Sequence, residues 1–172
     1  MPEKDKCAAV YLARKVDGMT YLPRFLGSLQ ACSAGRNFDL IVILKGYADG
    51  DIPACLHDFW CPGLQTLHLM TFDDSRFATE AFFRAAEIFD HSALLFFVSS
   101  SRVLAGNWAR TVFDMLLGGP HRLVGACSGL ESLDASTPYP NPAIRTTGFA
   151  IRRKDFLSLE RGDVSVRFGG NL

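Results

Sequence analysis

Residues 94–98 read Leu-Leu-Phe-Phe-Val, five consecutive apolar positions with no alternation, and the run stops abruptly at Ser99, Ser100, Ser101 and Arg102. A strand with one wet face alternates apolar and polar residues. A strand without alternation must be covered on both faces, as a central strand of a parallel or mixed sheet is. Such a sheet needs helices above and below it, which restricts the chain to α/β architectures. In open α/β sheets, ligands sit in the crevice beyond the carboxyl ends of the strands. The small polar residues that end this run therefore stand where chemistry is expected.

The rest of the chain has the periodicity that such a sheet requires. Residues 7–13 are an apolar run that reads as a buried strand, residues 38–44 are a clear second strand rich in β-branched residues, and residues 64–70 alternate as a third strand. Between them, Leu22, Phe25, Leu26 and Leu29 fall on one helical face, with Thr20 as the expected N-cap and Pro23 in the first turn. Residues 52–57 read as a short helix capped by Asp51. Phe77, Ala81, Phe82, Ala85, Ile88 and Phe89 define another amphipathic helix, capped by Asp74 or Ser75. Residues 108–117, with Val112, Met115 and Leu116 facing inward, form a helix that Gly118, Gly119 and Pro120 end. Residues 123–127 follow as a fifth strand. Residues 128–142 form a loop in which Pro138, Pro140 and Pro142 oppose regular structure. A sixth strand over 148–151, a short helix over 154–159 and an edge strand over 164–168 complete the chain. The expectation is one domain over residues 1–172, a three-layer α/β/α sandwich on a mostly parallel, mixed sheet.

Composition excludes several classes of function. Eighteen basic residues balance eighteen acidic ones, so no global field favours nucleic acid or an anionic membrane. No apolar run approaches the roughly 20 residues needed to span a bilayer. No secretory leader is recognisable at the N-terminus, and the five cysteines (Cys7, Cys32, Cys55, Cys61, Cys127) are scattered like free thiols of a reducing compartment. A cytoplasmic protein is expected. No dinucleotide fingerprint, phosphate loop or nucleophile elbow occurs, and Ser128 lacks the glycine two positions before it that an elbow requires. His57, His68, His91 and His121 lie far apart in sequence and read as surface or core-edge residues.

Four strand ends then share one edge, presenting residues 14–17, 45–51, 72–75 and 99–102. There a nucleotide or sugar phosphate would meet backbone N–H groups, aspartates for ribose or base, and arginines for phosphate. This order of elements, with Phe25, Leu26, Ser28 and Leu29 in the first helix and the stretch 94–108, resembles the nucleotide-sugar-binding half of a type-A glycosyltransferase of the family-2-like group. Asn141, Pro142, Ile144, Arg145, Thr146, Phe149, Ile151, Arg152 and Arg153 resemble a segment of bacterial glycosyltransferase-like proteins of surface polysaccharide synthesis. The resemblance implies transfer of a sugar from a nucleotide-activated donor to a saccharide acceptor. Arg14, Asp17, Asp49, Asp73 and Asp74 would contact the nucleoside, Ser99 to Arg102 the diphosphate, and Arg145, Thr146 and Thr147 the sugar or acceptor. Glu131 or Asp134 would be the base that deprotonates the acceptor hydroxyl.

One departure accompanies the resemblance. The fourth strand of such enzymes normally ends in Asp-x-Asp, whose carboxylates hold a Mg²⁺ or Mn²⁺ against the donor diphosphate. Ser99, Ser100 and Ser101 occupy those positions here, so no metal ligand is assigned. Three readings stay open: Arg102, Arg145 and the serine hydroxyls stabilise the diphosphate without metal; Asp73 or Asp74 supplies the missing carboxylate; or the domain binds without catalysing. Chains of this family generally continue past the point reached by Gly169, Gly170, Asn171 and Leu172, so a C-terminal truncation is expected.

Overall fold

The computed structural model describes residues 6–125 and 147–159. Six strands form one sheet: β1 (Cys7–Arg14), β2 (Phe38–Lys45), β3 (Leu64–Phe72), β4 (Ala93–Phe97), β5 (Leu123–Gly125) and β6 (Phe149–Arg152), in the order β3-β2-β1-β4-β6-β5. The pairs β1·β2, β1·β4 and β2·β3 are parallel, whereas β6 runs antiparallel to both β4 and β5. The mostly parallel α/β sandwich expected from the periodicity is the observed fold. Four helices accompany the sheet: α1 (Leu22–Ala31), α2 (Ala78–Ile88), α3 (Trp108–Gly118) and α4 (Arg153–Leu157).

The non-alternating runs are buried because each strand feeds two cores. Along β1, Cys7, Ala9, Tyr11 and Ala13 enter the core under α1 and α3, while Ala8, Val10 and Leu12 enter the core under α2 and α4. The same period of two sends Leu95 and Phe97 of β4 to the first layer, and Leu94 and Phe96 to the second. Tyr11 stacks on Phe25 with ring centroids 3.9 Å apart, and Phe96 lies 4.7 Å from Phe82 and 4.8 Å from Phe156. Each such fully buried aromatic or branched side chain contributes about 1.5–3 kcal/mol over its exposed state. Burying two faces at once is therefore the main stabilisation of the central strands.

Strand alternation also explains two consecutive arginines. Arg152 ends β6 and donates from Nη2 to the carbonyls of Leu116 and Gly119 at the C-terminus of α3, at 2.9 and 3.1 Å. Arg153, one residue on, belongs to the opposite layer and donates from Nε to Ala86 O near the end of α2, with Nη1 3.1 Å from Asp90. Each guanidinium satisfies carbonyls that a helix leaves without partners, at its electronegative end. The tandem arginines are helix caps, one for each layer.

Local details differ from the sequence reading at several helix starts. The N-cap of α1 is Tyr21, without a side-chain cap, and α2 begins after Phe77, whose N–H is accepted by Glu80 rather than by Asp74 or Ser75. Residues 52–57 contain only a single 3₁₀ turn, Ala54–Leu56, because Asp51 pairs with Lys15 at 2.6 Å instead of capping it. Met115 and Ile88, expected inside, are about half exposed. Gly35 sits at φ 73°, where a Cβ would lie 2.5 Å from Asn107 Oδ1. That close approach seats the start of α3 on the loop after α1, with Asn107 N–H donating to Ser33 O.

Candidate functional site

The strand order places a topological switch point between β1 and β4. The chain leaves β1 toward β2 and β3 on one side, then crosses back through α2 to lay β4 on the other side of β1. A crevice forms where neighbouring connections diverge at the carboxyl ends of such strands. The register Tyr11↔Phe97 brings the residues after β4 beside the end of β1. Residues 14–17, 45–51, 72–75 and 99–102 thus share one edge, as the sequence reading anticipated.

On the β4 side, the apolar run ends in a turn closed by Ser101 N–H to Val98 O at 2.9 Å. Ser101 is 8% exposed, and its hydroxyl is fully engaged: it accepts from Val98 N–H at 3.1 Å and donates to Thr147 O at 2.6 Å. The second bond ties this turn to the residues that lead into β6. Ser99 offers its carbonyl to the hydroxyl of Tyr11 at 2.7 Å. Burial, reinforced by the nearby Asp17 carboxylate, pushes the Tyr11 hydroxyl well above its ordinary pKa, so it remains a donor across the physiological range. Ser100 and Arg102 are exposed at the mouth of the turn. Of the three serines, only Ser99 and Ser100 retain hydroxyls free of the bonds that shape the turn.

On the other side, Lys45 closes β2 in register with Arg14 of β1 and Phe72 of β3. Its side chain is 4% exposed, and Nζ lies 2.7 Å from Asp74 Oδ1 and within hydrogen-bond reach of Asp74 O. Arg14 approaches the same carboxylate oxygen at 3.7 Å. The hydrogen bond from Lys45, with the charges of Lys45 and Arg14, holds Asp74 below the usual aspartate range. Asp73 is lowered too, because it accepts from both the N–H and the hydroxyl of Ser75 at 2.9 and 2.8 Å. Gly46 makes this approach feasible. Its φ is 82°, its N–H donates to Phe72 O at 2.8 Å, and a Cβ there would lie 3.1 Å from Asp74 Cβ.

Gly46, Tyr47, Ala48, Thr71, Phe72, Asp73 and Asp74 line a cleft of about 510 Å³, and Asp49 accepts from Thr71 Oγ1 at its rim at 2.8 Å. Lys15 lies 5.6 Å from the Tyr47 ring centroid while pairing with Asp51. Asp17 is half-buried, and its Oδ2 has no hydrogen-bond partner among the described residues. Sequence reasoning singled out neither Tyr11, Lys45 nor Tyr47. Lys45 carried a signal, since a lysine that terminates five consecutive apolar residues in a doubly covered strand must be buried and paired. Glu131, Asp134, Arg145 and Thr146 lie outside the described residues; Thr147, within them, contributes its carbonyl to Ser101.

Among the described residues of this edge, two oxygen donors that a hard dication would use are already engaged. Mg²⁺ and Mn²⁺ take carboxylate, carbonyl and water oxygens. The Ser101 hydroxyl is committed to the fold, and the Asp74 carboxylate already answers two cationic side chains. Cys61 is buried, which pushes its pKa up to about 11, and burial raises Cys55 as well.

No protein-family model and no curated protein matches the chain. Among solved structures, the galactosyltransferase LgtC, in complex with donor and acceptor sugar analogues, superposes with a TM-score of 0.60 at 14% identity. The alignment covers 93% of this chain and 63% of LgtC. An active-site mutant of LgtC gives the same TM-score over 62% of its length. The apo form of the glycosyltransferase GlyE of Streptococcus pneumoniae TIGR4 superposes with a TM-score of 0.56 at 14% identity, covering 97% of this chain and 40% of GlyE. The chain therefore spans less than two thirds of the length of these proteins. It shares with them a nucleotide-diphospho-sugar transferase-like fold.

Proposed function

We propose that this chain is the donor-binding part of a glycosyltransferase, which transfers a sugar from a nucleotide-activated donor to a saccharide acceptor. The observation that carries the reading is the topological switch point between β1 and β4, on a fold shared with glycosyltransferases. In this reading Arg14, Asp17, Asp49, Asp73 and Asp74 contact the nucleoside, with Tyr47 as an aromatic neighbour for the base. Ser99, Ser100 and Arg102 face the diphosphate, and Ser101 positions their turn. Arg145, Thr146 and Thr147 belong to the sugar or acceptor side, and Glu131 or Asp134 is the base for the acceptor hydroxyl. A role in cytoplasmic polysaccharide synthesis completes the proposal.

Arginine suits the diphosphate because its planar guanidinium pairs with phosphate oxygens in bidentate fashion and keeps its charge at any working pH. Charge developing on the departing nucleoside diphosphate would be met by Arg102, Arg145 and the serine hydroxyls rather than by a metal bridge. The commitment of Ser101 and Asp74 also supports a second reading, a nucleotide-sugar-binding or scaffold domain without transferase activity.

Calorimetric titration of uridine, guanosine, cytidine and thymidine diphosphates, with and without Mn²⁺, tests the proposal. The expected result is binding of at least one nucleotide without a requirement for Mn²⁺, weakened about tenfold in Arg102→Ala, the equivalent of about 1.4 kcal/mol. Binding without release of free sugar or transfer to any saccharide favours the second reading. If none of the nucleotides binds, both readings fall.

A further inference from the structure

We propose that Asp39, His68 and His91 form a binding site for one divalent transition cation of the Zn²⁺ class, at the amino-terminal edge of the sheet, opposite the candidate donor crevice. Asp39 Oδ2 lies 2.9 Å from His91 Nε2 and 3.6 Å from His68 Nε2. One ligand atom from each of the three residues falls within 4.8 Å of the others. Around Zn²⁺, with bonds of about 2.0–2.2 Å to nitrogen and carboxylate oxygen, neighbouring tetrahedral ligands stand roughly 3.3 Å apart. The two measured distances bracket that spacing. Two neutral imidazoles and one carboxylate are a borderline donor set. They suit Zn²⁺ and its neighbours in the first transition row, and not the oxygen-seeking Mg²⁺ or Ca²⁺.

The backbone makes this convergence by an irregularity. The β2·β3 register pairs Phe38 with Leu64 but Leu40 with Leu67, so β3 carries one extra residue opposite Asp39. Without that slip His68 would pair with Val42, on the α1 side of the sheet. With it, His68 pairs with Ile41 and shares the face on which Asp39 also lies, since residues 39 and 41 are two apart on one strand. β-bulges recur where a strand must re-aim a side chain toward a site. The third ligand comes from the chain entering β4: His91 N–H donates to Phe89 O, and the His68 ring lies 4.9 Å from Phe89.

His91 is the most enclosed of the three residues. Its side chain is 5% exposed, and its Nδ1 has no hydrogen-bond partner among the described residues. A phenyl ring would fill this position without leaving a buried polar atom unpaired. What imidazole alone provides here is Nε2, which is directed at Asp39. A cation on Nε2 takes the place of the proton held between His91 and Asp39, and that proton passes to solvent. His68 and Asp39, 29% and 19% exposed, leave the outer side open for water as the fourth ligand.

The site is tested on the full chain, dialysed against EDTA, by calorimetric titration with ZnCl₂ and by the optical spectrum of the Co²⁺ complex. The expected result is one Zn²⁺ per chain, d–d bands without thiolate-to-cobalt charge transfer, and a rise in melting temperature on adding Zn²⁺. His68→Ala changes a partly exposed residue and should leave the fold intact, while weakening Zn²⁺ binding at least about tenfold. Asp39→Asn should do the same, and Asp74→Asn should leave binding unchanged. Absence of Zn²⁺ binding, binding unaltered in His68→Ala, a thiolate band, or loss of binding in Asp74→Asn would each overturn the proposal. None of these outcomes bears on nucleotide binding at the opposite edge.

Discussion

At the carboxyl edge of the sheet, Asp74 is held between Lys45 and Arg14, Asp51 meets Lys15, and Asp49 and Asp73 accept from hydroxyls. At the amino edge, Asp39 faces two imidazoles, which carry charge only when protonated, and one of them keeps a buried nitrogen without a partner. At the first edge the carboxylates of Asp49, Asp51, Asp73 and Asp74 are engaged by cationic side chains or by hydroxyls, whereas Asp17 Oδ2 has no hydrogen-bond partner among the described residues. The second brings a carboxylate oxygen and two imidazole nitrogens within 4.8 Å of one another. At the carboxyl edge the turn after β4 is closed by Ser101, and the end of β2 by Lys45 and Asp74, through hydrogen bonds internal to the fold.

The comparison is broken most severely by removing the buried lysine. Lys45→Met keeps the packing of the aliphatic stem but deletes both bonds to Asp74, the one to its carboxylate and the one to its main-chain oxygen. Hydrogen bonds to charged groups are each worth about 1.5–3 kcal/mol, and half-exposed Asp74 recovers part of the loss from water. A destabilisation of about 2 kcal/mol is expected, read as a lower urea midpoint at unchanged slope. A variant as stable as the parent would show that the carboxyl edge is not held together by its charges.

The amino edge should yield less. In EDTA, His91→Phe fills the same space, removes the unpaired Nδ1, and leaves Asp39 with His68 and some access to water. A cost of about 1 kcal/mol is expected by urea unfolding, below that of Lys45→Met, because loss of one hydrogen-bond partner costs about 1–3 kcal/mol and Asp39 keeps His68 and access to water. A cost above that of Lys45→Met would reverse the comparison and make the Asp39–His91 pair the stronger structural tie.

What the sequence revealed of these edges followed from how local each signal was. The doubly covered strands were legible because an apolar run without alternation has one structural solution, and the run ending at Ser99 marked the correct edge of the sheet. The partners of Ser101 were not legible: Val98 is three residues away, but Thr147 is 46 residues away and meets Ser101 only through the antiparallel return of β6. Asp39, His68 and His91 were hidden for the same reason, compounded by the bulge. Strict alternation along β3 from the Phe38 pairing places His68 on the wrong face, and no composition signal announces a one-residue slip. Arg152 and Arg153 were read as part of a family-like segment, whereas their bonds identify them as caps of two helices.

The smallest effect concerns how the carboxyl edge responds to acid. Asp74 and Asp73 are both held below the ordinary aspartate pKa, Asp74 by Lys45 and then Arg14, Asp73 by the two donors of Ser75. A carboxylate depressed in the folded state binds its proton more readily when unfolded. Its contribution is therefore complete above the unfolded value of about 3.9 and is lost as pH falls through the lower folded value. Both groups reach solvent, so the change is small. The urea midpoint of the parent should fall more between pH 7 and pH 3 than that of Asp74→Asn, which has no proton to gain at this position. Equal falls would mean that Lys45 and Arg14 hold Asp74 no more firmly than water does, and the contrast between the two edges would then rest on the buried lysine alone.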